Sequence, residues 1–286
     1  MLVPPEIEMM LRFLSIVVKN NPQARKAGET LQHWLSVRGV QAALLVNEPE
    51  PDFPPLPPET EIIVVFGGDG TLLSAARHYG QEGTPILGVN VGGLGFLTAV
   101  GLDKLYPILE RVIRGDFVVE ERMQLLGTLI RQGEKVCEQS VLNDVVINKG
   151  ALARIVEFKT YIDCEYLTTY RADGLIVSTP TGSTAYTLGA GGPIVFPTLE
   201  NIILIPICPF TLTNRPLILP DSFVITVVLD DRSRDVYLTF DGQLGVRLQP
   251  KDIVEIKKCP QSIRLIKSPD KSYFEILRTK LRWGEF

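Results

Sequence analysis

The sequence predicts an α/β fold in two domains: a Rossmann-like open parallel sheet at the N-terminus, then a β-rich, sandwich-like C-terminal domain. Three observations predict it. Strand-like apolar runs alternate with helix-like runs over the first third of the chain, the pattern of βαβ units. After Gly115 the texture changes to short alternating strands. The chain has 286 residues, 45% of them hydrophobic, which is enough for two ordinary cores. The expected division is 1–115 for the α/β domain, 116–268 for the β-rich domain and 269–286 for a C-terminal helix packing back on the first.

Each element has a local reason. "RFLSIVVK" (12–19) reads as a buried strand. Asn21 is placed to cap the next helix, and Pro22 takes its first position. "AALLV" (42–46) is a second strand. The proline-dense "NEPEPDFPPLPPETE" (47–61) suits neither a helix nor a central strand and reads as a surface loop. "IIVVF" (62–66) is wholly apolar, as in a parallel strand covered on both faces. A helix over "LLSAARHYG" (72–80), a strand over "PILGVN" (85–90) and a helix over 103–115 closed by Gly115 complete the unit. Beyond it, 116–150 alternates and turns at Gln132-Gly133. Strands follow in 154–178, 201–209, 222–230, 235–243, 252–258 and 262–268, with one helix near 183–189 and a helical tail over 273–283.

Composition excludes several classes. No apolar run approaches the roughly 20 residues of a membrane span, and acids and prolines stand at the start where a signal peptide carries basic residues. The expectation is a cytoplasmic protein without a membrane partner. A net charge of −4 with no basic run argues against a nucleic-acid partner. Cys137, Cys164, Cys208 and Cys259 make no close pair, against a zinc site or redox pair, and three of them read as small core residues. Two histidines, His33 and His78, are too few for a histidine-rich metal site.

The chemistry lies in five stretches. The first is Gly67-Gly68-Asp69-Gly70-Thr71, between an apolar strand and a helix. Such a turn brings backbone amides and a helix N-terminus to an anionic ligand at the carboxyl end of a parallel strand. A carboxylate at its tip would repel a phosphate, so Asp69 is read as handling a proton or an attacking hydroxyl while the backbone holds phosphates. The plain alternative is that Asp-Gly simply makes a good turn. The stretch lacks the P-loop ending and the glycine spacing of the dinucleotide fingerprint. The second stretch, "NVGGLGFLT" (90–98), follows the next strand and would open on the same edge, as another cleft wall or as a connecting loop. The third, "TPTGSTAY" (179–186), offers hydroxyls, glycine and an aromatic suited to adenine or ribose, or a helix cap. The fourth, Asn143-Asp144, pairs an amide with a carboxylate, a match for a vicinal diol or for a turn. The fifth, "FDGQ" (240–243), reads as a hairpin turn.

Together and in this order, these stretches resemble the NAD kinase family over nearly the whole chain, about residues 12–283, with "LTNRPL" (212–217) adding to the match. The first motif alone also resembles turns of diacylglycerol-type lipid kinases and phosphofructokinases. The resemblance implies a two-domain NAD-kinase-like fold. It implies transfer of a phosphoryl group from ATP, or from polyphosphate, to the 2′-hydroxyl of the adenosine ribose of NAD, with Mg²⁺ or another divalent cation, giving NADP. By this resemblance Asp69 is the catalytic residue and Gly68, Gly70 and Thr71 line the donor side. Phe96 forms the nicotinamide end, and Asn143 and Asp144 bind ribose hydroxyls, with Asp where Glu is commoner. Thr181, Thr184, Ala185 and Tyr186 form the adenine stretch, and Gln243 joins the binding residues. Arg171 matches members preferring NAD over NADH, and Asp173 matches an aspartate that often reaches a neighbouring subunit's site, implying a homodimer or homotetramer. No residue is expected to hold a metal by itself. Phe210 stands where many members have His, and Gly189 where a serine is frequent. Two other readings are a lipid or sugar kinase and a catalytically silent NADP-binding sensor.

Overall fold

The computed structural model describes residues 11–48, 52–151 and 154–284. They fall into two compact units, one running to Glu121 and resuming at Ile263, the other Arg122–Ser262.

The first unit is built on a seven-stranded sheet. Its strands run in the order Gln41–Asn47, Phe13–Lys19, Ile62–Gly67, Ile86–Asn90, Ile263–Ile266 and Val119–Arg122, with Val100–Gly101 paired beside Ile86–Asn90. The pairings of the first four strands are parallel. Every residue of Ile62–Gly67 is buried, which is why that stretch is apolar without alternation. The helix Pro22–Ser36 starts as expected: the Asn21 side chain accepts from the Ala24 amide at 2.8 Å and Pro22 opens the first turn. Ala24, Gly28, Leu31 and Leu35 form its buried stripe. The helix Leu105–Ile113 turns Leu105, Ile108, Leu109 and Val112 inward, and Gly115 follows it at φ +74°.

Two findings differ from the sequence expectation. The second helix is Asp69–Tyr79, so Asp69 lies in its first turn, three residues before the apolar run begins; Gly68 is its N-cap and its carbonyl accepts from Thr71 and Leu72. The segment 262–268, read as part of the β-rich domain, supplies the strand Ile263–Ile266 to the first unit's sheet, where Leu265 pairs in parallel with Ile86. An Ile-Arg-Leu-Ile run suits an antiparallel edge as well as a parallel sheet, and only tertiary pairing decides. The tail helix Tyr273–Leu281 also belongs to this unit, and Ser272 and Glu275 close its start as a capping box.

The second unit is a sandwich of two six-stranded sheets whose pairings are all antiparallel. One has the order Glu165–Ala172, Val156–Ile162, Ile225–Leu229, Ile253–Lys258, Leu125–Arg131, Glu134–Val141. The other has the order Leu217–Pro220, Asn201–Ile207, Gly174–Ser178, Asp144–Lys149, Val236–Phe240, Leu244–Leu248. Alternate residues of both, such as Leu125, Leu129, Phe158 and Val227 against Val145, Ile147, Val177 and Phe240, form one core. The turn at Gln132-Gly133 has positive φ at both residues, as a two-residue hairpin requires. The helical part near 183–189 is a 3₁₀ turn over Thr181–Thr184 and one short turn over Tyr186–Gly189.

The cysteines correct one expectation. Only Cys259 is buried; Cys164 and Cys208 are exposed, at φ +70° and +45°, because both sit in the turns that end strands rather than inside them. Among the described residues no helix is long and apolar enough to cross a membrane.

Candidate active site

In the first unit both glycine-rich turns meet at Asp69. Its Oδ2 accepts from the Phe96 amide at 2.8 Å. Its Oδ1 accepts from the Leu97 and Thr98 amides, each at 3.0 Å, and from the Thr98 hydroxyl at 3.1 Å. Three consecutive amides and a hydroxyl stabilise the charge that made an acid look out of place in a phosphate-type turn. The carboxylate stays half-buried, so it is clamped without being sealed from solvent. Gly95 permits the clamp, since a methyl group there would overlap Asp69 Oδ1 and Thr98 Oγ1.

Beside it a cavity of about 270 Å³ is lined by Lys19, Asn21, Gln23, Gly67, Gly68 and Asn90–Gly93, among others. Gln23 ties its walls together by donating to the Val91 carbonyl at 3.3 Å. Lys19 is the charged group in this lining, and the N-terminal turns of two helices face it. That combination suits a polyanion. Gly68 and Gly70 are exposed, whereas Thr71 is buried with its hydroxyl packed under Gly67. Phe96 is half-buried, with Lys280 Nζ 5.6 Å from its ring centre.

In the second unit the structure brings together Asn143, Asp144 and 179–186. Ser178 pairs with Asp144 across neighbouring strands. The Asn143 carbonyl accepts from the Thr179 amide at 2.8 Å and the Ser178 hydroxyl at 3.1 Å, and the Thr179 hydroxyl donates to the Leu142 carbonyl at 2.6 Å. A methyl group at Gly182 would overlap the Asn143 carbonyl, which explains the glycine between two threonines and two further hydroxyls. Thr181 is 5% exposed and its hydroxyl finds no partner among the described residues. Thr184 and Ala185 are half-buried, and Tyr186 offers a ring that is 44% exposed.

A residue the sequence reading passed over organises this cluster. Asp241, in the turn of "FDGQ", accepts from the Leu142, Asn143 and Asp144 amides at 3.1, 2.7 and 3.2 Å. Asp144 is itself buried, and burial first, then the Asp241 charge, push its carboxyl up to about 7. Near neutrality it therefore holds a proton part of the time and donates as well as accepts. Gln243 is exposed next to this turn.

Arg171 and Asp173 are not part of that cluster within the unit. They precede Gly174–Ser178, whereas Asn143 and Thr179 lie at its far end, about 20 Å from Asp173 at 3.3 Å per residue. Asp173 Oδ1 is 3.2 Å from Lys149 Nζ. Arg171 is 3.3 Å from the Glu157 carboxylate, stacks on the Phe210 ring and lines a different cavity, of about 870 Å³.

An open α/β sheet that presents a clamped carboxylate beside an anion-suited cavity, in a chain that also carries a β-sandwich with a small-residue cradle, defines a nucleotide-dependent phosphotransferase. Residues 54–117 match the ATP-NAD kinase N-terminal domain and residues 142–268 the ATP-NAD kinase C-terminal domain. The NAD kinase of Geobacter sulfurreducens is 51% identical over 277 residues, covering 93% of this chain and 96% of the relative. That of Syntrophobacter fumaroxidans is 47% identical over 285 residues, covering 96% and 100%. Among solved structures, yeast NADH kinase complexed with NADH superposes with a TM-score of 0.85 at 25% identity, over 96% of this chain and 89% of that one. An NAD kinase from Archaeoglobus fulgidus in complex with ATP gives 0.76 at 26%, over 94% and 98%. The chain belongs to the NAD kinase family, and its activity is the phosphorylation of NAD to NADP.

Proposed function

We propose that Asp69 is the base of this reaction and that ATP, carrying Mg²⁺ or another divalent cation, is the donor. The 2′-oxygen of the adenosine ribose attacks the γ-phosphorus, the bond to the β,γ-bridging oxygen breaks, ADP leaves, and the hydroxyl proton passes to Asp69 Oδ2. With polyphosphate the leaving group is the chain shortened by one phosphate. The observation that carries this is the asymmetry of the clamp: Oδ1 takes three donors, whereas Oδ2 takes one and keeps a lone-pair site for a substrate hydroxyl. Phosphoryl transfer asks mainly for alignment and charge stabilisation, and a base adds about 10²–10⁴-fold.

The cation belongs to the donor's phosphates, whose charge it neutralises when bound. Among the described residues no three His, Cys, Asp or Glu side chains converge into a cage for it. Gly68, Gly70 and Thr71 take the donor side and Phe96 the nicotinamide end. Asn143 and Asp144 bind ribose hydroxyls, and Thr181, Thr184, Ala185 and Tyr186 bind adenine, with Gln243 beside them. The partnerless Thr181 hydroxyl and the open Tyr186 ring support the adenine assignment. Arg171 favours NAD over NADH. The distance of Asp173 from the adenine cluster supports a role in a neighbouring subunit's site, hence a homodimer or homotetramer, and the cytoplasm is the proposed location. The test is to incubate the purified protein with NAD, a divalent cation and either ATP or polyphosphate and to assay NADP. Product with ATP is expected; none with ATP would overturn the donor assignment, and a monomer on gel filtration would overturn the shared site.

A further inference from the structure

Thr98 follows the second glycine-rich turn and is fully buried, which is unusual company for a hydroxyl beside a carboxylate that stays half-open. Its surroundings fix where its proton goes. The Gly92 amide, which can only donate, bonds Asn90 Oδ1 at 2.7 Å. That fixes the orientation of the Asn90 side chain, so its Nδ2 faces Thr98 Oγ1 at 2.9 Å. An amide nitrogen has no acceptor capacity, so Thr98 Oγ1 must accept there, and its single proton is left for Asp69 Oδ1 at 3.1 Å. The chain of bonds Gly92–Asn90–Thr98–Asp69 thus runs in one direction from end to end.

We infer that Thr98, held by Asn90, is a positioning residue for the transfer reaction: it saturates Asp69 Oδ1 and so presents Oδ2 to the acceptor hydroxyl. The inference rests on the proposed role of Asp69 as base. Thr98 supplies two of the three donors on Oδ1, its amide and its hydroxyl, from a fully buried position. With the hydroxyl gone, Oδ1 keeps only its two amide donors, the carboxylate is held less tightly about its Cβ–Cγ bond, and the buried Asn90 amide loses its acceptor. Small misplacements of a reacting group cost rate far more than they cost binding.

The test is Thr98→Val, which removes the hydroxyl at nearly constant volume, alongside Thr98→Ser, which keeps it. Thr98→Val should lower kcat about tenfold while KM for NAD and for ATP stays within about twofold, and Thr98→Ser should recover most of the loss. In an Asp69→Asn background Thr98→Val should cause no further loss, because the carboxylate it positions is gone. A thermal melt confirms that each variant is folded; should Thr98→Val fail to fold, Thr98→Cys takes its place with the same expected direction. Unchanged kcat in a folded variant, or an equal loss with and without the Asp69 carboxylate, overturns the inference. Near-normal turnover of Asp69→Asn overturns the base assignment itself, whatever Thr98 does, so the two failures are distinguishable.

Discussion

Asp69 and Asp241 use one device in two unrelated architectures. Each stands just beyond a strand and just before a glycine, and each collects three consecutive amides from another segment: those of 96–98 for Asp69 and of 142–144 for Asp241. Their settings differ. Asp69 is half-buried on the first turn of an 11-residue helix. Asp241 is 9% exposed, in a hairpin turn with positive φ at Asp241 and Gly242, beside a second buried carboxylate. The same clamp that presents one carboxylate to solvent uses the other to hold a loop. What would separate the proposed base from a brace is access to the carboxylate, not the hydrogen bonds themselves.

The largest expected effect breaks the comparison on the Asp69 side. Asp69→Asn keeps the shape but removes the base, and turnover should fall by about a hundredfold or more with NAD binding by calorimetry nearly unchanged. On the other side, Asp241→Ala should act through stability. It strips the acceptor from three amides, two of them on buried residues, at about 3 kcal/mol or more. The melting temperature should drop by roughly 6–12 °C. If Asp241→Ala left the melt untouched and abolished turnover, the two aspartates would not differ as described. Gly95→Ala sharpens the contrast with a smaller effect: the added methyl must displace the Asp69 carboxylate or the Thr98 hydroxyl, so kcat should fall about tenfold, read in a steady-state assay.

Much of this was legible in the sequence. A wholly apolar 62–66 announced a strand covered on both faces, Asn21-Pro22 announced a helix start, and Gln132-Gly133 a hairpin. These are local signals, written by residues that answer to their immediate neighbours. The Asp69 turn drew a chemical reading for the same reason, because a charge among glycines has no local use beyond a turn. What escaped depends on contacts distant in sequence. Ile263–Ile266 crosses into the first sheet, and no feature of four alternating residues says which sheet will take them. Asp241 does make the hairpin its Asp-Gly suggested, but its carboxylate serves amides 97 to 99 residues earlier. Asn90 and Thr98 sat inside a stretch noticed for its glycines, and only their burial and mutual hydrogen bond reveal their part.

Asp144 gives the comparison its pH dependence. Burial, and after it the Asp241 charge, raise its carboxyl to about 7, against an ordinary value near 4. Between those two values the folded chain keeps a proton that the unfolded chain has released, so in this window stability falls as pH rises. The contribution is fully present below about pH 4 and gone above about pH 7. Asp144→Asn cannot ionise and should escape the loss. Its melting temperature relative to the parent should therefore rise by a few degrees on going from pH 5 to pH 8, at about 2–4 °C per kcal/mol. In an Asp241→Asn background the rise should shrink, since the neighbouring negative charge is then absent and only burial remains. Equal differences at both pH values for Asp144→Asn would mean that Asp144 is charged throughout. Asp241 would then brace a loop without altering the acid beside it.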